Sequence, residues 1–172
     1  MKKCSLKNKL LCEMSSFNLK TVVLCAILCL VLGIISGFVS GGFDLYSNLC
    51  LPQAAPPAFV FPIIWSILYV LIGAATGIII SNRDKCFKVS KSRGLLYFGV
   101  MFLLNLLWSP IFFGAELFFV ALVVLVAMIV LTFFVVLCYS NISFISALIM
   151  FIYWLWLFFA AYLNLAIIFL NS

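Results

Sequence analysis

A chain of 172 residues that is 68% hydrophobic and only 8% charged cannot be an ordinary soluble domain, which is about half apolar and about a quarter charged. Its formal charge of +6 does not point to nucleic acid, because all ten Lys and Arg fall in two short segments, Lys2 to Lys20 and Arg83 to Arg93. With no histidine, and with only the scattered acids Glu13, Asp44, Asp84 and Glu116, the commonest metal ligand and general base is missing and no paired-carboxylate site is visible.

The first 20 residues read as a basic, solvated or membrane-surface tail on the cytoplasmic side. A first apolar span follows over about 21–40, after Lys20 and before Asp44. Its charged lead and core are long, so it is read as a helix and not as a cleaved signal peptide. Residues 41–57 hold Pro52, Pro56 and Pro57, stiff enough to predict an ordered lid, with Pro57 near the first helical position of the next span. The second span covers about 58–80, with Pro62 in its first turn, and the basic loop 81–93 comes next. The third covers about 94–114, with Pro110 near its end and Glu116 closing it. No charge occurs beyond Glu116, too long a stretch for one crossing, and the polar run Tyr139-Ser140-Asn141-Ile142-Ser143 divides it into spans of about 117–138 and 144–169. Each span has about 20 residues, enough to cross roughly 30 Å of hydrocarbon as a helix. The fold class is therefore all-α: an integral membrane bundle of five transmembrane helices over 21–172. The bias of Lys and Arg puts the N-terminus and residues 81–93 in the cytoplasm and the C-terminus outside, and a bacterial plasma membrane is the expected home.

The seven cysteines, at 4, 12, 25, 29, 50, 86 and 138, form no C-x-x-C pair. They read as small buried or membrane-facing residues, not as zinc ligands or a disulfide framework. Gly33, Gly37 and Gly41, and then Gly73 and Gly77, recur at four-residue intervals, a spacing that lets helices approach closely. Packing inside the bundle is the preferred reading and a dimer contact the sharper alternative.

In membrane helices the informative residues are the polar and aromatic exceptions. Phe61, Trp65 and Tyr69 share a face of the second span, as do Asn105, Trp108 and Phe112 in the third and Tyr153, Trp156, Ala160 and Asn164 in the fifth. Trp and Tyr also serve as anchors at the membrane rim, and Asn as glue between helices. The anchor reading suits Trp154, which points away from the Trp156 face. It suits Trp65 and Trp156 less, because they line up with polar groups on interior faces. Three aromatic stripes predict a flat, apolar cavity with a few hydrogen-bonding groups, suited to a large planar hydrophobic ligand. Ion-coupled transport usually needs ionisable groups within the membrane, and only Asp44 and Glu116 come near.

Three stretches carry a family likeness. They are Tyr46-x-x-Leu49-x-x-Pro52 with Pro56-Pro57-Ala-Phe-Val-Phe61-Pro-Ile-Ile-Trp65-Ser-Ile-Leu-Tyr69, then Leu104-Asn105-Leu-Leu-Trp108-Ser109-Pro110-Ile-Phe112-Phe113-Gly114, then Tyr153-x-x-Trp156-x-x-x-Ala160-x-Tyr162-Leu163-Asn164. In order and spacing they resemble the tryptophan-rich sensory protein, or translocator protein (TspO/MBR), family. The resemblance implies a five-helix bundle, often a homodimer, that binds porphyrin or haem with no intrinsic cofactor and acts as a sensor, sequestering protein or transporter. It implies a pocket of Tyr46, Pro56, Trp65, Asn105, Trp108, Trp156 and Ala160. As the alternative function it implies light-dependent oxidative degradation of protoporphyrin, with Trp65 and Trp156 as the catalytic residues. Departures are Leu45-Tyr46 for the family's Trp-Tyr, Leu51-Pro52 for Lys-Pro and Ile152-Tyr153 for Pro-Tyr. Without that lysine, the ion pair to a porphyrin propionate at the mouth that the resemblance would imply is not carried over. No Lys or Arg follows Tyr162, so the sterol-recognition pattern is not carried over.

Overall fold

In lipid, a backbone satisfies its own N–H and C=O groups only within helices or closed barrels. The five apolar runs take the helical solution in the computed structural model, which describes residues 18–41, 49–82 and 87–171. Helix α1 spans Leu19–Val39, α2 Val60–Ser81, α3 Lys88–Ser109, α4 Phe118–Ser140 and α5 Phe144–Asn171. All are long and apolar enough to cross a membrane. The predicted tail lies outside the described residues except for its last three, where the Asn18 side chain caps α1 by accepting from the Lys20 N–H. At the start of α5 the Ser143 hydroxyl accepts from the Ser146 N–H in the same way.

Two boundaries differ from the sequence reading for identifiable reasons. α3 starts at Lys88 and not at 94, because hydropathy marks where the hydrocarbon begins while helical hydrogen bonding continues into the wet headgroup zone. The extension places Lys91 so that its ammonium donates to the carbonyls of Ile80 and Asn82, both at 2.7 Å. That satisfies two of the free carbonyls at the C-terminal end of α2. Pro57 is not at the first helical position of α2. It precedes the helix, and its carbonyl accepts from the Val60 N–H in a turn, whereas Pro62 does lie in the first turn.

At the far end of α3 the missing N–H of Pro110 unsettles the α ladder. Pro110–Gly114 widens into a π turn, with the Ala115 N–H bonded to the Pro110 carbonyl. Glu116 then reverses the chain in the left-handed region, at φ 56°.

The helices close in the order α1–α2–α5–α4–α3, with α1 returning to α3 by a much thinner contact. Helices in lipid gain no hydrophobic drive from touching, so close packing and buried hydrogen bonds hold them together. The glycines show this on α1 and α2. A Cβ at Gly73 would sit 2.6 Å from the Cys25 carbonyl oxygen, and one at Gly77 would sit 2.6 Å from the Val22 Cα, while Gly33 is pressed by the Tyr69 ring. These three serve packing within the chain. Gly37 and Gly41 do not continue the stripe: neither has an atom within 4 Å of a built Cβ, and Gly41 turns the chain at φ 60°.

Hydrogen bonds complete the assembly. The Ser36 hydroxyl donates to the Leu106 carbonyl at 2.6 Å, and the Ser40 and Ser109 hydroxyls meet at 2.8 Å, tying the last turns of α1 to α3. Deeper in the bundle Thr76 meets Tyr139, and the Ser146 hydroxyl donates to the Ala75 carbonyl. Trp154 corrects its reading as a rim anchor. Its indole N–H donates to the Ile129 carbonyl at 2.9 Å, midway along α4, so it ties α5 to α4.

Candidate functional site

The end of the bundle opposite Lys88, Lys91 and Arg93 brings together the last turns of α1, the start of α2, the end of α3 and the end of α5. Here the three aromatic stripes converge on Trp65. Its ring lies 6.0 Å from Trp108 in a stacked arrangement and 6.4 Å from Trp156 edge-on. Tyr69 is 5.7 Å from it along α2, and Phe112 stacks on the other side of Trp108 at 5.1 Å. The spacing of three and four residues within each helix puts these rings on inward faces, and the edge-on and offset geometries are those that aromatic quadrupoles favour.

Two cavities flank the cluster. The larger, about 210 Å³, lies between α1, α2 and the end of α3; Gly33, Gly37 and the capping Ser40 line it at α1, Phe61, Trp65 and Tyr69 from α2, Trp108 and Ser109 from α3, and Phe113 from the π turn that follows. Ile34 and Phe38 form its edge and are themselves exposed, Phe38 by 79%, so this cavity meets the lipid-facing side. The smaller, about 20 Å³, is lined by Phe61, Trp65, Trp108, Phe112 and Phe113 together with Ala160, Leu163, Asn164 and Ile167 of α5. Phe61, Trp65, Trp108 and Phe113 are common to both, forming a shared wall of four rings. Neither space alone reaches the several hundred Å³ usual for a ligand of drug size.

The two buried asparagines have opposite circumstances. Asn105, 2% exposed, is fully engaged: the Tyr69 hydroxyl donates to its Oδ1 at 2.6 Å and its Nδ2 donates to the Tyr153 hydroxyl. It binds α2, α3 and α5 together and is thereby removed from both cavity linings. Asn164, 1% exposed, has no hydrogen-bond partner at either Nδ2 or Oδ1. The indole N–H groups of Trp108 and Trp156 are likewise buried without a partner. Buried polar atoms are nearly always paired, and the exceptions among the described residues belong to Trp108, Trp156 and Asn164, around this one cluster.

Of the residues singled out from sequence, Phe61, Trp65, Tyr69, Trp108, Phe112, Ala160 and Asn164 line one cavity or the other. Trp156 packs edge-on against Trp65. Tyr153 and Asn105 lie behind the wall as its support. Pro56 is half-buried in the segment before α2 and lines neither cavity. Tyr46 lies outside the described residues, as does most of the first part of the predicted lid. The described part of that segment is anchored: the Asn171 side chain accepts from the Cys50 N–H and donates to the Cys50 carbonyl, at 2.9 and 3.0 Å. Sequence reasoning missed the α1 side of the larger cavity, Gly37 and Ser40, and also Phe113 and Ser109. The last two stand inside the quoted Leu104–Gly114 motif, and Gly37 carried a signal only as part of a glycine stripe.

The chain matches the model of the TspO/MBR family over residues 25–170. It is 31% identical over 126 residues to the tryptophan-rich protein TspO of Chlorobaculum tepidum, covering 73% of this chain and 78% of that protein. It is 30% identical over 130 residues to protein CrtK of Rhodobacter capsulatus, covering 73% and 78%. Similarity extends to the translocator protein of Ovis aries, 31% identical over 123 residues and 72% of each chain. With five membrane-spanning helices converging on a tryptophan cluster and a match over nearly its whole helical length, this multi-pass membrane protein belongs to the TspO/MBR family.

Proposed function

We propose that the protein binds a porphyrin-type tetrapyrrole in the space on either side of the Trp65–Trp108 stack, and so senses, sequesters or moves it. The observation that carries this reading is the shared wall of rings between two contiguous apolar cavities, with unpartnered indole and amide groups at its edge. Flat indole faces offer stacking to a planar macrocycle, and the lining is otherwise apolar. Among the described residues no His, Cys or Met lines either cavity, and the Tyr69 hydroxyl is already engaged with Asn105, so the lining favours stacking and hydrogen bonds over axial ligation of iron. Metal-free protoporphyrin is therefore the better-matched ligand, and haem would be held by its plane.

The test is a titration of the detergent-purified protein with protoporphyrin in darkness, read by the Soret band. Saturable binding is expected, weakened roughly 5- to 100-fold when Trp65→Phe and Trp156→Phe are combined, since aromatic pairs contribute about 0.5–1.5 kcal/mol each beyond area burial. Gly37→Leu places a side chain into the larger cavity where a Cβ meets nothing, so it should abolish binding while leaving thermal unfolding unchanged. Equal affinity in all three proteins would show that the ligand binds elsewhere.

A second reading follows from the direct Trp65–Trp156 contact: light-dependent oxidative breakdown of the bound porphyrin by dioxygen, with these indoles as the redox partners of the excited ring. It requires a new absorbing product in light, absent in the dark and absent with Trp65→Phe or Trp156→Phe.

The basic start of α3 supports an orientation with that end in the cytoplasm of a bacterial cell and the cavities toward the outside. Cys50, exposed and unpaired at the cavity end, then reacts with a membrane-impermeant maleimide on intact cells. Labelling that appears only after lysis, or that persists in Cys50→Ser, contradicts this topology.

A further inference from the structure

Asn164 carries two hydrogen-bonding functions side by side, an N–H pair and a carbonyl oxygen, and the protein answers neither. That is unlike Asn105, whose carboxamide is satisfied on both atoms, and unlike Ser146, Thr132 and Thr76, each of which finds a partner. Asn164 lines the smaller cavity, and so does Trp108, whose N–H is also unanswered. A carboxamide with both atoms open is matched by a group that offers an acceptor and a donor on adjacent atoms, so that two parallel hydrogen bonds form. Among the described residues no cationic side chain lines either cavity, so an ionised carboxylate would be buried without a charged partner there, and a neutral group is the better match. The space of about 20 Å³ admits a single such edge or one water molecule.

Resting on the tetrapyrrole reading above, we infer that Asn164 is a specificity-determining residue that receives a neutral donor–acceptor edge of the ligand, a lactam or an undissociated carboxyl group. The remainder of the ligand lies across the Trp65–Trp108 wall in the larger cavity, and the Trp108 N–H is the further donor available to that edge. In a closed porphyrin the pyrrole nitrogens face inward, so the only peripheral groups of this kind are its acid side chains. A linear tetrapyrrole also carries lactams at its two ends. The shared chemistry is the same, and the two sources are separable.

The experiment compares the whole protein with Asn164→Leu against three probes in darkness: protoporphyrin, its dimethyl ester, and biliverdin dimethyl ester. The ester of protoporphyrin has neither group, biliverdin dimethyl ester keeps only the lactams, and protoporphyrin keeps only the acids. Asn164→Leu is expected to weaken at least one of protoporphyrin and biliverdin dimethyl ester about tenfold, the loss of one well-made pair of bonds, and to leave protoporphyrin dimethyl ester unchanged. Loss confined to biliverdin dimethyl ester identifies the lactam. Loss confined to protoporphyrin, growing as pH is lowered, identifies the undissociated acid. If the probes bind the unaltered protein and Asn164→Leu binds each of them equally well, the inference falls and the tetrapyrrole reading stands; if none binds the unaltered protein, both fall. Ligand-free thermal unfolding provides an independent check, because removing two unanswered polar atoms should leave the midpoint unchanged or raised. A lowered midpoint would mean that the protein itself satisfies Asn164, and would overturn the inference.

Discussion

Replacing Asn105 by leucine is expected to lower the thermal unfolding midpoint of the purified protein sharply, by an amount equivalent to about 2–4 kcal/mol. The residue stands where α2, α3 and α5 meet, between the hydroxyls of Tyr69 and Tyr153. Leucine keeps the branched four-atom skeleton but leaves both phenols buried and unanswered, and each such group costs roughly 1–3 kcal/mol. The figure is held down because polar groups in a membrane-inserted chain find partial substitutes when not fully folded. If the cost arises from stranded hydroxyls, adding Tyr69→Phe and Tyr153→Phe to Asn105→Leu should recover part of it, since removing all partners together is close to neutral. An unchanged midpoint in Asn105→Leu would show that the network does not hold the bundle. The same substitution at Asn164 is expected to leave the midpoint unchanged or raised, and the hydrogen-bond partners distinguish the two asparagines.

Gly73→Leu is expected to prevent α1 from docking on α2. A Cβ at this position meets the Cys25 carbonyl oxygen at 2.6 Å and the Ala26 Cα at 2.7 Å. These are backbone atoms of a helix, so no side chain can turn aside and α1 itself must move outward. Overpacking of this kind costs about 1–3 kcal/mol and sometimes more. Gly73→Ala should therefore lower the unfolding midpoint measurably, and Gly73→Leu should elute from size exclusion as aggregate. Gly99→Ala in α3 is the matched control: nothing lies within 4 Å of its Cβ, and alanine is favoured over glycine in a helix by about 0.5–1 kcal/mol. Gly73→Leu that folds with an unaltered midpoint would contradict the close α1–α2 approach.

The aromatic cluster of the candidate site was legible in the sequence. Trp65, Trp108 and Trp156 stand on three separate spans, and helical periodicity alone turns each toward the same side as a polar or small neighbour. The resemblance, carried by motifs in three of the spans and in the first loop, pointed to the same residues and to the family that the comparisons show. Less legible was the role of each polar residue. Asn105 and Asn164 look alike in sequence, each on an aromatic stripe, yet one is a structural tie and the other is open. Trp154 looked like a rim anchor because it leaves the Trp156 face. In the fold that other face meets α4, and the indole N–H has a carbonyl to bond.

What the sequence by itself determined is the number of helices, their approximate limits and their inward faces. The physical reason is that lipid forces each apolar run of about 20 residues to satisfy its own backbone, so these properties are local and periodic. Only the tertiary structure decided which helices neighbour one another, which of the recurring glycines meet another backbone, and where the packing leaves two cavities. Those outcomes depend on distances between residues far apart in the chain: Gly73 against Cys25, Asn105 against Tyr69 and Tyr153, and Gly37 against nothing. No periodicity within one helix contains that information. The unanswered amide of Asn164 is of the same kind, because whether a buried polar group is paired depends on every helix around it.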